Sequence, residues 1–116
     1  MIKAGGRHLI VDYWGVEPSK LISCEDVDRV FRESATSAGA TVLSSHFHHF
    51  GDGCGITGVV ILSESHMSIH TWPEKNYCAI DVFMCGTCDP RDTLKALDLF
   101  FDSSYSKVDF IQRGEQ

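Results

Sequence analysis

The sequence has 116 residues, 43% of them hydrophobic and 22% charged, values that are ordinary for one globular domain over 1–116. Its net charge of −6 comes without any cluster of Lys or Arg, which argues against a nucleic-acid partner. No apolar run approaches the ~18 residues that a membrane span needs, so we expect no membrane association. The five cysteines are odd in number and lack paired spacing. We therefore expect free thiols in a cytoplasmic protein.

Apolar periodicity predicts eight elements in the order β-α-β-β-β-β-α-β. The first three are a strand over Arg7–Trp14, a helix capped by Ser23 and ended by Gly39, and a strand over Ala40–Phe50. The others are the strand-like runs "ITGVVILSES" and "HMSIHTW", a strand over Tyr77–Cys85, a helix begun by Asp89 and Pro90, and a short strand "KVDFIQ".

This order predicts an α+β fold, a two-layer sandwich in which a six-stranded, mainly antiparallel sheet carries both helices on one face. The opposite face of the sheet would then lie bare. Runs such as "GVVIL" are apolar on both faces, which is typical of a sheet covered on both sides. We therefore expect two copies to stack sheet to sheet as a homodimer.

Most histidines and cysteines carry no motif, and their simplest interpretation is structural: histidines at strand edges or in the core, and cysteines as small buried hydrophobes. This group comprises His8, His46, His48, His49, Cys24, Cys54 and Cys78.

Two spacings, His66-x3-His70 and Cys85-x2-Cys88, resemble metal-ligand pairs. On a strand, however, His66 and His70 would lie ~13 Å apart, at ~3.3 Å per residue. Both rings cannot then reach one ion, and we predict no metal site.

A nucleophilic site is a further hypothesis, because Ser65, His70 and Cys85 would converge if their strands are neighbours. A conventional serine hydrolase is disfavoured, since no G-x-S-x-G elbow is present. A cysteine hydrolase based on Cys85 is disfavoured too, because that residue ends a strand and does not begin a helix.

Four segments together resemble the prokaryotic S-adenosylmethionine decarboxylase proenzymes, which are pyruvoyl-dependent enzymes. The segments are "GRHL", "GATVLSSHFHHF", "GVVILSESHMSIHTWPE" and "YCAIDVFMCG". The resemblance runs from Gly6 to about Cys88 and includes the long ESH…IHTWPE pattern. It implies the same two-layer fold and an amino-acid-type substrate.

The resemblance also implies that the chain cuts itself between Glu64 and Ser65, giving a β chain 1–64 and an α chain 65–116. The Ser65 hydroxyl would attack the preceding carbonyl, and Ser65 would end as a pyruvoyl group. That cofactor would form a Schiff base with the substrate amine and accept electrons as CO₂ leaves, as pyridoxal phosphate does elsewhere. Internal attack requires a strained bend between Ser63 and His66.

By the same resemblance, His70 is the base in processing and Cys85 the proton donor in decarboxylation. An ordinary imidazole accepts a proton near neutral pH, and an ordinary thiol is protonated there. Glu74 is expected to bind ribose hydroxyls and Phe50 to stack on adenine. Thr57 stands where the family usually has a serine, and it keeps the hydroxyl that can assist processing.

Three functions remain open at this point. The first is decarboxylation of S-adenosylmethionine for spermidine biosynthesis. The second is the same chemistry on L-arginine or L-ornithine, and the third is an unprocessed homologue that regulates a partner. Activation by putrescine or a metal ion is likewise open.

Overall fold

The computed structural model describes residues 5–114 and contains six strands and two α-helices. The strands are β1 (Gly6–Trp14), β2 (Val42–His49), β3 (Ile56–Leu62), β4 (Ser65–Trp72), β5 (Tyr77–Met84) and β6 (Tyr105–Arg113). The helices are α1 (Cys24–Ser37) and α2 (Leu94–Phe101), and the element order is the predicted one. The predicted α+β fold is confirmed.

The sheet has the strand order β2-β3-β4-β5-β1-β6, and every pairing of neighbours is antiparallel. The strand β5 pairs with β4 on one side and with β1 on the other, so it lies inside the sheet. Sequence patterns fix the strands but not this order, because β1 joins the sheet beside a strand more than sixty positions later.

Ser23 caps α1 as predicted, whereas Asp89, the predicted cap of α2, lies one turn before that helix. In α1 the Ser23 hydroxyl accepts a hydrogen bond from the Asp26 backbone N–H at 3.1 Å, which satisfies one free donor of the first turn. Before α2, Asp89 caps a short 3₁₀ turn over Pro90–Thr93 instead of the α-helix itself. The hydroxyl of buried Thr93 donates back to the Pro90 carbonyl at 2.7 Å and holds this tighter turn.

The core lies between the helices and the sheet. Alternate residues of the inner strands are buried there, as in β5, where every second side chain is enclosed. The helices contribute their apolar stripes, including Val27, Phe31, Leu97 and Phe101. Thr71 is the polar member of this layer on β4: its hydroxyl donates to the Leu21 carbonyl at 2.7 Å and accepts from the Ile56 N–H at 2.9 Å.

The sheet face turned away from the helices, here called the open face, is covered by no other element among residues 5–114. Its side chains alternate with the buried ones. Large apolar residues are exposed on it, namely Ile61, Trp72, Tyr105 and Ile111. Within the described residues, no helix is both long and apolar enough to cross a membrane.

Candidate active site

The chain reverses sharply between β3 and β4. Leu62 and Ser65 are paired, so Ser63 and Glu64 form the whole turn. Glu64 has a φ of 63°, in the left-handed region that costs a residue with a side chain about 1–2 kcal/mol. The Ser63 N–H donates to the Thr41 carbonyl at 2.9 Å and fixes the turn to the chain before β2. The bend predicted between Ser63 and His66 is therefore present, at the residue before Ser65.

Ser65 and Cys85 meet at this end of the sheet. The Cys85 backbone N–H donates to the Ser65 hydroxyl oxygen at 3.3 Å. This contact arises because β4 and β5 are antiparallel neighbours, which places the start of one beside the end of the other. Both residues are half-buried.

Two residues of the "GRHL" motif support Cys85 from the adjacent strand β1. A Cβ atom added to Gly6 would lie 2.6 Å from the Met84 carbonyl oxygen, which excludes a side chain there, and 3.1 Å from the Cys85 Sγ. The Arg7 guanidinium donates to the Gly86 carbonyl at 2.9 Å and also to the Cys88 carbonyl. The loop after Cys85 is thereby held against β1. Sequence reasoning gave these residues no role, since about 80 positions separate them from the loop.

His70 lies on the open face of β4 and faces Thr57 on β3. The His70 Nδ1 atom and the Thr57 hydroxyl oxygen are 3.2 Å apart, within hydrogen-bonding distance. The imidazole is otherwise exposed. The Thr57 hydroxyl thus orients the ring through Nδ1, and the Nε2 atom points away from Thr57.

A cleft of about 400 Å³ lies beside this pair, at the end of the sheet opposite to Ser65. It is lined by four residues singled out in the sequence, Phe50, Thr57, His70 and Glu74, together with Trp72. Phe50 is 59% exposed and has its ring in edge contact with His48, at 4.6 Å between centroids. The cleft therefore offers aromatic surfaces and one carboxylate.

The candidate residues thus form two clusters in one chain: Ser65 with Cys85, and the cleft with His70. Ser65 and His70 are five residues apart on one continuous strand, which separates them by ~16 Å at ~3.3 Å per residue. A proton transfer needs ~3 Å. The convergence of Ser65, His70 and Cys85 considered from the sequence is therefore found only for Ser65 and Cys85.

The centre of the open face holds a cluster of hydrogen-bonded polar side chains that sequence patterns did not predict. The Asp81 carboxylate is 3.0 Å from the His8 Nε2 and accepts from the Ser68 hydroxyl at 3.3 Å. Beside it, the Tyr77 hydroxyl donates to Asp12 at 2.5 Å. Burial and this hydrogen bond raise the pKa of Tyr77 to about 12. No local pattern reveals such contacts, which join distant parts of the chain.

The cysteines differ in burial: Cys78 is buried, Cys24, Cys85 and Cys88 are half-buried, and Cys54, expected to be buried, is exposed. Burial raises the pKa of the Cys78 thiol to about 12, which makes it an inert core residue. All five cysteines are free. Within residues 5–114, no three His, Cys, Asp or Glu side chains come close enough to share a metal ion.

The family model for S-adenosylmethionine decarboxylase matches residues 7–114. The S-adenosylmethionine decarboxylase proenzyme of Persephonella marina is 47% identical over 98 residues, which cover 84% of this chain and 71% of the relative. The proenzyme of Methanococcus maripaludis strain S2 is 39% identical over 114 residues, covering 97% and 93%.

The crystal structure of the adenosylmethionine decarboxylase from Aquifex aeolicus VF5 has a TM-score of 0.87 and 31% identity, with 98% of this chain and 94% of that one covered. The fold and these relatives define a carboxy-lyase. The chain belongs to the S-adenosylmethionine decarboxylase family.

Proposed function

We propose that this protein is a self-processing, pyruvoyl-dependent decarboxylase of S-adenosylmethionine. The observation that carries the proposal is the position of Ser65, directly after the strained Glu64 and with its hydroxyl oxygen hydrogen-bonded by the Cys85 N–H. Self-cleavage between Glu64 and Ser65 would give a β chain 1–64 and an α chain 65–116. The five free thiols are in keeping with a cytoplasmic location.

The first step is attack of the Ser65 Oγ on the Glu64 carbonyl carbon. The peptide C–N bond breaks, an ester bond forms, and the amine of Ser65 is released. The left-handed conformation of Glu64 favours this step, because opening the turn relieves the strain. A base then removes the Ser65 α-proton, the ester leaves as the Glu64 carboxylate, and hydrolysis of the resulting enamine releases ammonia and leaves a pyruvoyl group.

The residues around Ser65 fit that group. Before cleavage the Cys85 backbone N–H binds the Ser65 oxygen, which leaves with Glu64; afterwards this donor would lie beside the new methyl group, one bond from the ketone. Gly6 leaves space on the other side of Cys85. The pyruvoyl ketone supplies an electron acceptor for the amino end of the substrate. The Cys85 thiol is proposed to return a proton to the substrate Cα after CO₂ has left.

His70 is proposed as the processing base, and the Thr57 hydroxyl orients its ring. A proton on Nδ1 that is donated to the Thr57 hydroxyl leaves the Nε2 lone pair free to accept the α-proton of Ser65. Threonine serves here as serine would, because only the hydroxyl is used.

Since Ser65 and His70 of one chain are ~16 Å apart, a second copy must supply one of them. Two open faces can stack about a two-fold axis that runs between the sheets, perpendicular to the strands. This rotation reverses the strand direction, so the cleft end of one sheet lies over the Ser65 end of the other. The exposed apolar residues of the open face favour such burial. We therefore propose a homodimer of processed protomers in which each site combines Ser65 and Cys85 of one chain with His70 of its partner.

The cleft would hold the nucleoside end of the substrate. The Phe50 ring offers a face for adenine, and aromatic faces also attract a nearby sulfonium cation. The Glu74 carboxylate can accept two hydrogen bonds from ribose hydroxyls. The products would be CO₂ and decarboxylated S-adenosylmethionine, which donates aminopropyl groups for spermidine biosynthesis.

A direct test gives the purified protein carboxyl-labelled S-adenosylmethionine, L-arginine or L-ornithine and measures the labelled CO₂. We expect release from S-adenosylmethionine alone. Glu74→Gln should raise KM for this substrate more than it lowers kcat, because the amide accepts fewer hydrogen bonds from ribose. Glu33→Gln, the same change on the exposed side of α1, is the matched control. Preferential release from arginine or ornithine would refute the proposed substrate, and an uncleaved, inactive protein would favour a regulatory homologue.

A further inference from the structure

Self-cleavage would make the start of β4 a free chain end. Ser65 is held by the peptide bond to Glu64 and by the hydrogen bond from the Cys85 N–H to its hydroxyl oxygen at 3.3 Å. Both restraints would be lost, because the peptide bond breaks and the hydroxyl oxygen leaves with the Glu64 carboxylate. The end of a chain frays readily when few contacts hold it. The pyruvoyl group would be carried on this loosened end, so another contact has to fix its position.

The ring of His66, the next residue, supplies such a contact. It stacks on the ring of Phe83 in β5, with 5.8 Å between the centroids and 27° between the planes. The two residues are direct partners in the antiparallel register, so the stack and the strand pairing act at the same point. A stacked pair restrains both the position and the tilt of each ring. Because His66 is bonded to residue 65, this restraint reaches the new chain end within one residue.

Phe83 is itself held from its other side. The His8 ring on β1 meets it edge-on, with 6.0 Å between the centroids and 89° between the planes. The His8 Nε2 atom lies 3.0 Å from the Asp81 carboxylate, which fixes the His8 ring in turn. The Arg113 guanidinium lies over the Phe83 ring, 5.9 Å from its centroid. A continuous row of contacts thus runs from β1 through β5 to the start of β4.

We infer that His66 is a positioning residue, which keeps the pyruvoyl end of β4 beside Cys85 through its stack on Phe83. The restraint matters only after the proposed self-cleavage, on which this inference rests. A flat ring is all that the role requires, so the imidazole nitrogens take no part in it. In the proposed stacked pair the ring lies between the two sheets, and the stack does not depend on exposure to solvent.

The direction of the His66 side chain disfavours a second role, that of base in self-cleavage. Neighbouring residues of a strand point to opposite faces of the sheet. Ile61, the partner of His66 on β3, is exposed on the open face, whereas Leu62, the partner of Ser65, is buried. The imidazole therefore points away from the Ser65 side chain.

Three variants separate these roles. His66→Ala should cleave itself as the wild type does, because the turn before Ser65 is still intact at that stage. Once cleaved, it should have a kcat about tenfold or more below that of the wild type, because the reacting end is misplaced. Its KM should change by less than about twofold, since the cleft at the other end of the sheet is untouched. His66→Phe keeps the stack and should retain kcat within about threefold of the wild type. His49→Ala, the same change at another exposed histidine, is the control and should alter neither constant.

Hydrogen–deuterium exchange gives a readout that does not depend on activity. In the cleaved protein, peptides from the start of β4 should exchange about tenfold faster in His66→Ala than in the wild type. In the uncut background of Ser65→Ala, adding His66→Ala should leave this exchange unchanged, because the intact turn still holds the strand.

Four results would contradict this role of His66. Cleaved His66→Ala with the kcat of the wild type, His66→Phe as slow as His66→Ala, or equal exchange in the cleaved chains would overturn the inference alone. An uncut His66→Ala beside a cleaved wild type would do so as well, since His66 would then act during cleavage. A wild type that stays uncut would instead overturn the proposed function, and this inference with it.

Discussion

Mixing two inactive variants tests whether each active site combines two chains. Ser65→Ala removes the nucleophile and His70→Ala removes the proposed base, so each variant alone should remain uncut. Since ~16 Å separates these residues along β4, neither chain can complete a site by itself. In a mixed dimer, the intact Ser65 of one chain meets the intact His70 of the other.

Co-expression in equal amounts should make half of the dimers mixed, each with one complete site of its two. We therefore expect about a quarter of the wild-type cleavage and activity. Differently tagged chains, separated by mass, should show that only the chain carrying His70→Ala is cut. His49→Ala, at another exposed histidine, should cleave when expressed alone, because both residues of each site remain intact in its homodimer. A mixture that stays uncut, or cleavage of His70→Ala by itself at the wild-type rate, would refute the two-chain site.

Three further substitutions test the surroundings of the site and the fold. Gly6→Ala places a Cβ 2.6 Å from the Met84 carbonyl oxygen and 3.1 Å from the Cys85 Sγ. It should lower kcat more than it raises KM and reduce the free energy of unfolding in urea by about 1–3 kcal/mol. Thr71→Val leaves two buried backbone groups without a partner and should cost about 2–5 kcal/mol in the same assay.

Asp89→Asn tests a charge effect. The Arg91 side chain lowers the pKa of Asp89, so the carboxylate stabilises the fold above its unfolded pKa of about 3.9 and loses this effect as the pH falls through the lower folded value. Thermal unfolding should show the variant less stable than the wild type at pH 7, with the difference vanishing at low pH.

Local patterns were sufficient to predict the elements. Alternating apolar residues mark β5, and Ser23 marks the start of α1 because its side chain accepts a backbone N–H of the first turn. Asp89 accepts in the same way but marks the start of the 3₁₀ turn before α2. The nature of the turn after Asp89 was not predictable, since it depends on a hydrogen bond made by buried Thr93. Tertiary contacts of this kind leave no local signature.

The candidate site was predicted less completely. The resemblance supplied Ser65, His70 and Cys85 but not their arrangement, which follows from the length of β4 and from the neighbouring strand β5. The support given by Arg7 was missed altogether, because its carbonyl partners lie 79 and 81 positions away. Such contacts become visible only once the order of the strands is known.

The intact mass of the purified, unmutated protein tests the central claim most directly. The claim predicts two fragments, one ending at Glu64 and a 52-residue fragment over 65–116 that is lighter by one ammonia than a serine start requires. This second fragment should react with a hydrazine reagent, and Ser65→Ala should yield one uncut chain. A single mass for the whole wild-type chain, unreactive toward the hydrazine, would contradict the account.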